Sequence, residues 1–258
     1  MDPLTICCFV FVGLFGLAVG SFLNVVIYRI PKRNFFSSTS SYCPHCHTKL
    51  KWFELIPVFS WIFLGGKCRT CKAKISIRYP LVEISNTALW LLAYAFHGLQ
   101  VQTILYMIAC SVLLVIAFID TDTGSVPAGL SLTATLIGVI SLICSAFIPN
   151  GILWWEHLVG GGAMGGILFL TAFVTKERAV DRHDAEVMLG LGLMIGWKLG
   201  LVALLFGSIA FGVTFAIRHV RADRTGEKRD IPLCPAIAVG AFCAILFGGL
   251  LLEHLFPL

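Results

Sequence analysis

Charge is what this sequence has too little of. Asp, Glu, Lys and Arg make up 13% of its 258 residues, where a soluble domain carries about 25%. Hydrophobic residues reach 58% and the mean hydropathy is +0.90. So little charge cannot coat a globule, which excludes a soluble enzyme, a disordered chain and a small disulfide-stapled secreted domain. The strict alternation over about ten residues that marks a membrane barrel is missing. So are internal repeats and low-complexity segments. The first apolar run has no basic segment ahead of it in Met1–Pro3. It is therefore expected to be a retained helix ending at Tyr28-Arg29, not a cleaved signal peptide. The net charge of +5 comes with no nucleic-acid-binding motif, and no nucleic-acid partner is expected.

What is there instead is a series of apolar runs, at 5–28, 81–97, 101–119, 128–148, 152–174, 185–197, 199–217 and 235–257. Most approach the about 20 residues a helix needs to cross a bilayer. The expected fold class is all-α: a polytopic membrane helical bundle of about eight transmembrane helices, with the lipid bilayer as its partner. The sixth helix is short, and only Gly196, Lys198 and Gly200 separate it from the seventh. The chain divides into a first transmembrane helix (1–28), a polar loop (29–80) and a helical bundle (81–258).

The Lys and Arg residues orient this bundle. Ten of the 19 fall between Arg29 and Arg78, three at Lys176, Arg178 and Arg182, and five between Arg218 and Arg229. In an eight-helix arrangement these loops share one side, which the positive-inside rule makes cytoplasmic. The segment around Asp120–Pro127 then faces the cytoplasm too, and both termini are expected outside. Trp154, Trp155 and His157 read as part of an outer aromatic belt.

Of the ten cysteines, Cys7, Cys8, Cys110, Cys144, Cys234 and Cys243 sit in or beside apolar runs and read as small hydrophobes. The other four form two hooks, Cys43-Pro-His-Cys46 and Cys68-Arg-Thr-Cys71, separated by 21 residues. Paired thiolates at this spacing converge tetrahedrally on one structural zinc ion. Redox dithiols and an empty remnant are the other readings, and a reducing cytoplasm argues against two disulfides. Metal binding would supply folding energy to a loop too small for its own core. His45 and His47 read as exposed loop residues, and the apolar stretch 53–64 between the hooks is expected to pack on the knuckle or dip into the interface.

Few carboxylates exist, 14 in all, and several lie beside hydrocarbon. Asp120 and Asp122 follow one apolar run, while Asp181 and Asp184 precede another. Ionisable groups there are functional candidates. Asp184 also reads as a cap for the helix it begins. Asp120 ends a helix, where the dipole disfavours an anion, and a turn role in Asp-Thr-Asp-Thr-Gly is its alternative. Two carboxylates brought together away from water share a proton and can activate a water molecule against an amide.

These segments resemble the type IV prepilin peptidase family, also called prepilin leader peptidase/N-methyltransferase. Gly20-Ser-Phe-Leu-Asn-Val-Val-Ile-Tyr-Arg-Ile-Pro31 is similar to its opening motif. Cys43–Cys71, with Glu54-Leu-Ile-Pro57 and Ser60-Trp61 inside it, resembles its zinc loop. Ser76-Ile-Arg-Tyr-Pro-Leu-Val-Glu83 and Ile231-Pro-Leu-Cys-Pro235 resemble the segments entering its second and last helices.

The resemblance implies a membrane aspartic endopeptidase of the GxGD type in the bacterial inner membrane. Such an enzyme cuts the leader of prepilins or pseudopilins for type IV pili or type II secretion. Its partner is a substrate transmembrane helix with a basic leader. A second activity, N-methylation of the new N-terminus from S-adenosylmethionine, is also implied. The catalytic residues carry over to Asp120, from Phe118-Ile119-Asp120, and to Asp184, placed by Leu191-Gly192-Leu-Met-Ile-Gly196-Trp197. Zn2+ carries over to Cys43, Cys46, Cys68 and Cys71. Glu54, Glu83, Asn24 and Arg29 are the candidates for methyl transfer or its support.

The chain departs from the family pattern at several points. Asp181 and His183 stand where the second motif has glycines, Glu186 where a Lys is common, and Ala128 where an Asp usually follows the loop proline. Asp181 is the alternative second aspartate. Other readings are an inactive relative that binds pilin-like helices and a proton-coupled small-molecule transporter. The latter is disfavoured by carboxylates at helix ends and by the lack of inverted repeats.

Overall fold

The structure, a computed structural model, describes residues 3–33, 41–147, 152–177, 180–225 and 231–255, without the side chains of 221–225 and 253–255. Arg178, Lys228 and Arg229, used above to orient the chain, lie outside the described residues.

The described chain is helical: α1 (Pro3–Arg29), a 3-10 turn (Trp52–Leu55), α2 (Phe59–Phe63), α3 (Arg78–His97), α4 (Val101–Thr123), α5 (Ala128–Phe147), α6 (Trp154–Thr175), α7 (Arg182–Thr225) and α8 (Cys234–Leu255). Six of these helices, all but α2 and α3, are long and apolar enough to cross a membrane. α3 falls short of that set; its first three turns carry Arg78, Glu83 and Asn86. By contacts the chain forms two compact units, Met1–Ala95 and Phe96–Leu258.

In the first unit α1 and α3 lie so close that a Cβ on Gly20 would sit 2.8 Å from the Glu83 backbone. Asn86 donates to the Gly16 carbonyl at 2.8 Å, and Asn24 to the Tyr79 carbonyl at 3.1 Å. Lipid gives no hydrophobic drive for helices to pair, so small residues and polar bonds of this kind hold them.

The second unit is built the same way. α4 carries much of its core, with Cys110, Val115, Ile116 and Ile119 buried. α7 is two helical limbs that meet at Gly196 (φ 74°, ψ 177°), where a positive φ favours glycine. The weak boundary expected there is real, and the chain turns back at it. Before the break Leu189 and Leu193 meet Gly165 and Gly161 of α6; after it Gly200 meets Met164 of the same helix. Gly248 of α8 meets Leu199, while Gly240 nearer its start meets Ala203 and Gly207, so the second limb runs opposite to α8. Lys198, the one basic residue outside the basic loops, pairs with buried Glu156 at 2.7 Å beside this break.

Trp154 and Trp155 are exposed, as a belt requires. His157 is not part of the belt: it is fully buried, with Nδ1 2.8 Å from the Leu193 carbonyl. Its ring faces α7, while the next residue, Leu158, is exposed.

Candidate functional sites

Two clusters of chemistry-bearing side chains stand out, one in each unit. In the second unit α4 ends where α7 and α8 begin. Gly124, in the left-handed conformation, closes α4 by donating to the Asp120 carbonyl at 2.8 Å. The turn therefore uses the backbone of Asp120 and leaves its side chain for other work. That carboxylate is 4% exposed, and its Oδ2 accepts the Cys234 amide at 2.9 Å. Asp184, 8% exposed, stands in the first turn of α7 with Oδ1 3.1 Å from Cys234 Sγ. Its Oδ2 is 3.4 Å from the Asp181 amide, so the capping reading holds alongside the other contact. One donor atom from each of Asp120, Asp184 and Cys234 lies within 4.8 Å of the others, and all three residues are buried. Asp181 is not in this cluster and is partly exposed, and Asp122 is exposed.

Cys234 is the residue that sequence reasoning missed. Its apolar neighbours make it read as a small hydrophobe, although its place between Pro232 and Pro235 at a helix start is a visible signal. Two of the residues departing from the family pattern, His183 and Glu186, bind one another. His183 Nδ1 is 3.1 Å from Glu186 Oε2 and 3.3 Å from Ser131 Oγ, and Ser131 donates to Glu186 at 2.6 Å. Arg182 Nε is 3.3 Å from the other Glu186 oxygen. The His183 ring is thus held toward α5.

In the first unit the two cysteine hooks fold as near copies. Cys43 and Cys68 donate their amides to the Thr48 and Ala73 carbonyls, and receive the amides of His47 and Lys72, both with positive φ. The four Sγ atoms lie within 4.8 Å of one another, Cys43 and Cys71 at 3.8 Å. Zinc–sulfur bonds of about 2.3 Å set tetrahedral sulfurs about 3.8 Å apart, whereas a disulfide needs about 2.05 Å. The cluster fits one zinc ion, and the cysteines are free thiols. The Thr48 hydroxyl, 3.3 Å from Cys46 Sγ, and its backbone stabilise the Cys46 thiolate and bring its pKa to about 6. His45 and His47 are exposed, outside the four-sulfur cluster. The stretch between the hooks packs on the knuckle: Trp61 Nε1 donates to the Ile75 carbonyl at 3.1 Å, and its ring covers Gly66.

Beside the knuckle lies a cavity of about 410 Å³, and Asn24, Arg29, Glu54 and Glu83 all line it. Glu83 is buried and accepts the Val58 amide at 2.7 Å. Val58 sits at φ 62°, ψ −53°, a strained conformation for a β-branched residue. Glu54 accepts the Lys51 amide at 2.8 Å, a capping bond for the 3-10 turn. Tyr28, Tyr42 and Tyr79 complete an aromatic wall.

Comparison with known proteins assigns both units. Residues 14–97 match the family described as bacterial peptidase A24 N-terminal domain, and residues 107–217 match the type IV leader peptidase family. A prepilin leader peptidase/N-methyltransferase of Aeromonas salmonicida is 30% identical over 271 residues, covering 93% of this chain and 91% of the relative. Proteins of the same description from Bacillus subtilis (29%, covering 91% and 92%) and Myxococcus xanthus (33%, covering 86% and 66%) are similar as well. No solved structure matches the chain.

Proposed function

The chain belongs to the type IV leader peptidase family, and on that premise we propose that it removes the leader from type IV prepilins or pseudopilins at the cytoplasmic face of the bacterial inner membrane. The observation that carries this reading is the convergence of Asp120 and Asp184 in one buried cluster. Carboxylates this close and away from bulk water share a proton. One then accepts a proton from a water molecule as that water attacks the scissile carbonyl, and the other holds a proton toward the carbonyl oxygen. Collapse of the tetrahedral intermediate passes a proton to the leaving amine.

The sidedness follows from charge. The ends of α4 and α6 and the starts of α5, α7 and α8 meet at one end of the second unit, where Lys176, Arg182 and Arg218 also lie. The positive-inside rule puts that end in the cytoplasm and both termini outside. A prepilin carries its basic leader on that side of an apolar helix, so the scissile bond and the aspartates meet at one depth. His183 and Glu186 are satisfied by each other and by Ser131, which supports an active enzyme despite the lost glycines.

The first unit is assigned to N-methylation. Cys43, Cys46, Cys68 and Cys71 would hold one Zn2+, in a structural role because four thiolates leave no position open for substrate. S-adenosylmethionine supplies the methyl group when bound. The cavity suits it chemically: Glu54 and Glu83 complement a sulfonium cation, and tyrosine rings accept both a cation and an aromatic base. Asn24 and Arg29 are assigned to orient the substrate, and Glu83 to receive the proton released from the amine.

The test is leader loss from a native prepilin followed by mass spectrometry, which reports cleavage and methylation in one spectrum. An intact substrate beside folded, zinc-loaded protein would overturn the reading.

A further inference from the structure

We propose that Cys234 is a positioning residue for the peptidase reaction, setting Asp120 and Asp184 against each other; this rests on the peptidase reading above. Cys234 is the first residue of α8 and is 1% exposed. The first amides of a helix have no partner within it, and the next residue, Pro235, has no N–H at all. The amide of Cys234 is directed at Asp120 Oδ2, 2.9 Å away. Its thiol reaches Asp184 Oδ1 at 3.1 Å. The main chain thus holds one carboxylate and the side chain the other, tying the end of α4 to the start of α7 through the start of α8.

Asp184 is gripped from two directions. The Cys234 thiol meets Oδ1, and the Asp181 amide lies 3.4 Å from Oδ2. Rotation of the carboxylate about its last bond would break both contacts, so its plane is fixed relative to Asp120. The thiol takes no covalent part; it donates a hydrogen bond and sets direction. A hydroxyl of similar length offers the same bond, and a methyl group does not.

The full-length, zinc-loaded enzyme would be assayed in detergent with a native prepilin as wild type, Cys234→Ala, Cys234→Val and Cys234→Ser. Each variant keeps the amide to Asp120. Ala and Val remove the donor to Asp184, with and without a loss of volume. Both are expected to lower kcat about tenfold per folded molecule, the scale of one lost bond to a charged group, with KM unchanged and the pH–rate profile displaced. Ser is expected to restore both.

A thiol that served packing alone would give the reverse pattern: Val close to wild type, Ser impaired, and no change of pH profile. That pattern would overturn the proposal, as would Ala and Val both matching wild type. A wild-type enzyme that cleaves while the donor-less variants equal it removes the role of Cys234 only. A wild-type chain that cleaves nothing overturns the peptidase reading and this role with it.

Discussion

Asp120 and Cys234 meet across the second unit through a 2.9 Å bond from the Cys234 amide to Asp120 Oδ2. A carboxylate at a helix C-terminus has an unfavourable dipole of its own. Here it is received by the N-terminus of another helix, where unpaired amides favour an anion. The site is assembled from three helix ends, so its geometry depends on how the helices pack.

That dependence is testable at the glycines. A Cβ on Gly190 would lie 2.5 Å from the Ala134 carbonyl oxygen and 2.7 Å from the Thr135 Cα, backbone atoms of α5 with no flexible group to yield. Gly190→Val is expected to destabilise the bundle by about 1–3 kcal/mol, as overpacking does, and to lower its melting temperature in detergent. Gly162, with nothing within 4 Å, is the control. Gly162→Ala should melt as wild type, and equal melting of both variants would contradict the packing described.

Zinc should be present at one ion per chain by elemental analysis. Cys68→Ser should lose it and open the 41–75 segment to proteolysis, because the metal supplies the folding energy of so small a loop. Full zinc retention in Cys68→Ser would contradict a four-thiolate site.

Methylation and cleavage should separate at Glu83. Glu83→Gln keeps an acceptor for the Val58 amide, which the carboxylate receives at 2.7 Å, but cannot accept a proton. The expected product is a cut, unmethylated pilin. A methylated product at the wild-type rate would remove Glu83 from that role.

His183→Ala should leave cleavage within about twofold, the scale of a half-exposed substitution. The ring is engaged by Glu186 and Ser131, not by the aspartates. A loss of more than tenfold would place His183 in the site itself.

Much of this was legible in the sequence because its signals are local. The two Cys-x-x-Cys hooks name their own chemistry, and Asp120 and Asp184 are conspicuous as charges beside apolar runs. Most of the long helices and the break at Gly196 follow from run length and one glycine, although six of the described helices, rather than about eight, are long and apolar enough to span. What the sequence hides is whatever depends on pairing between helices. Cys234 looks like any small hydrophobe until α8 places its amide on Asp120 and its thiol on Asp184. His157 looks like a belt residue until the facing Leu193 carbonyl draws it inward. The common cavity of Asn24, Arg29, Glu54 and Glu83 is likewise invisible along the chain, because it needs α1, the loop and α3 folded together.

The central claim is that Asp120 and Asp184 form the cutting pair. It is tested most directly by incubating a native prepilin with the wild type, Asp120→Asn, Asp184→Asn and Asp181→Asn, and following leader loss by mass spectrometry. Wild type and Asp181→Asn should remove the leader, while Asp120→Asn and Asp184→Asn should leave it intact with the protein folded. Cleavage that survives Asp184→Asn but fails in Asp181→Asn would contradict the account.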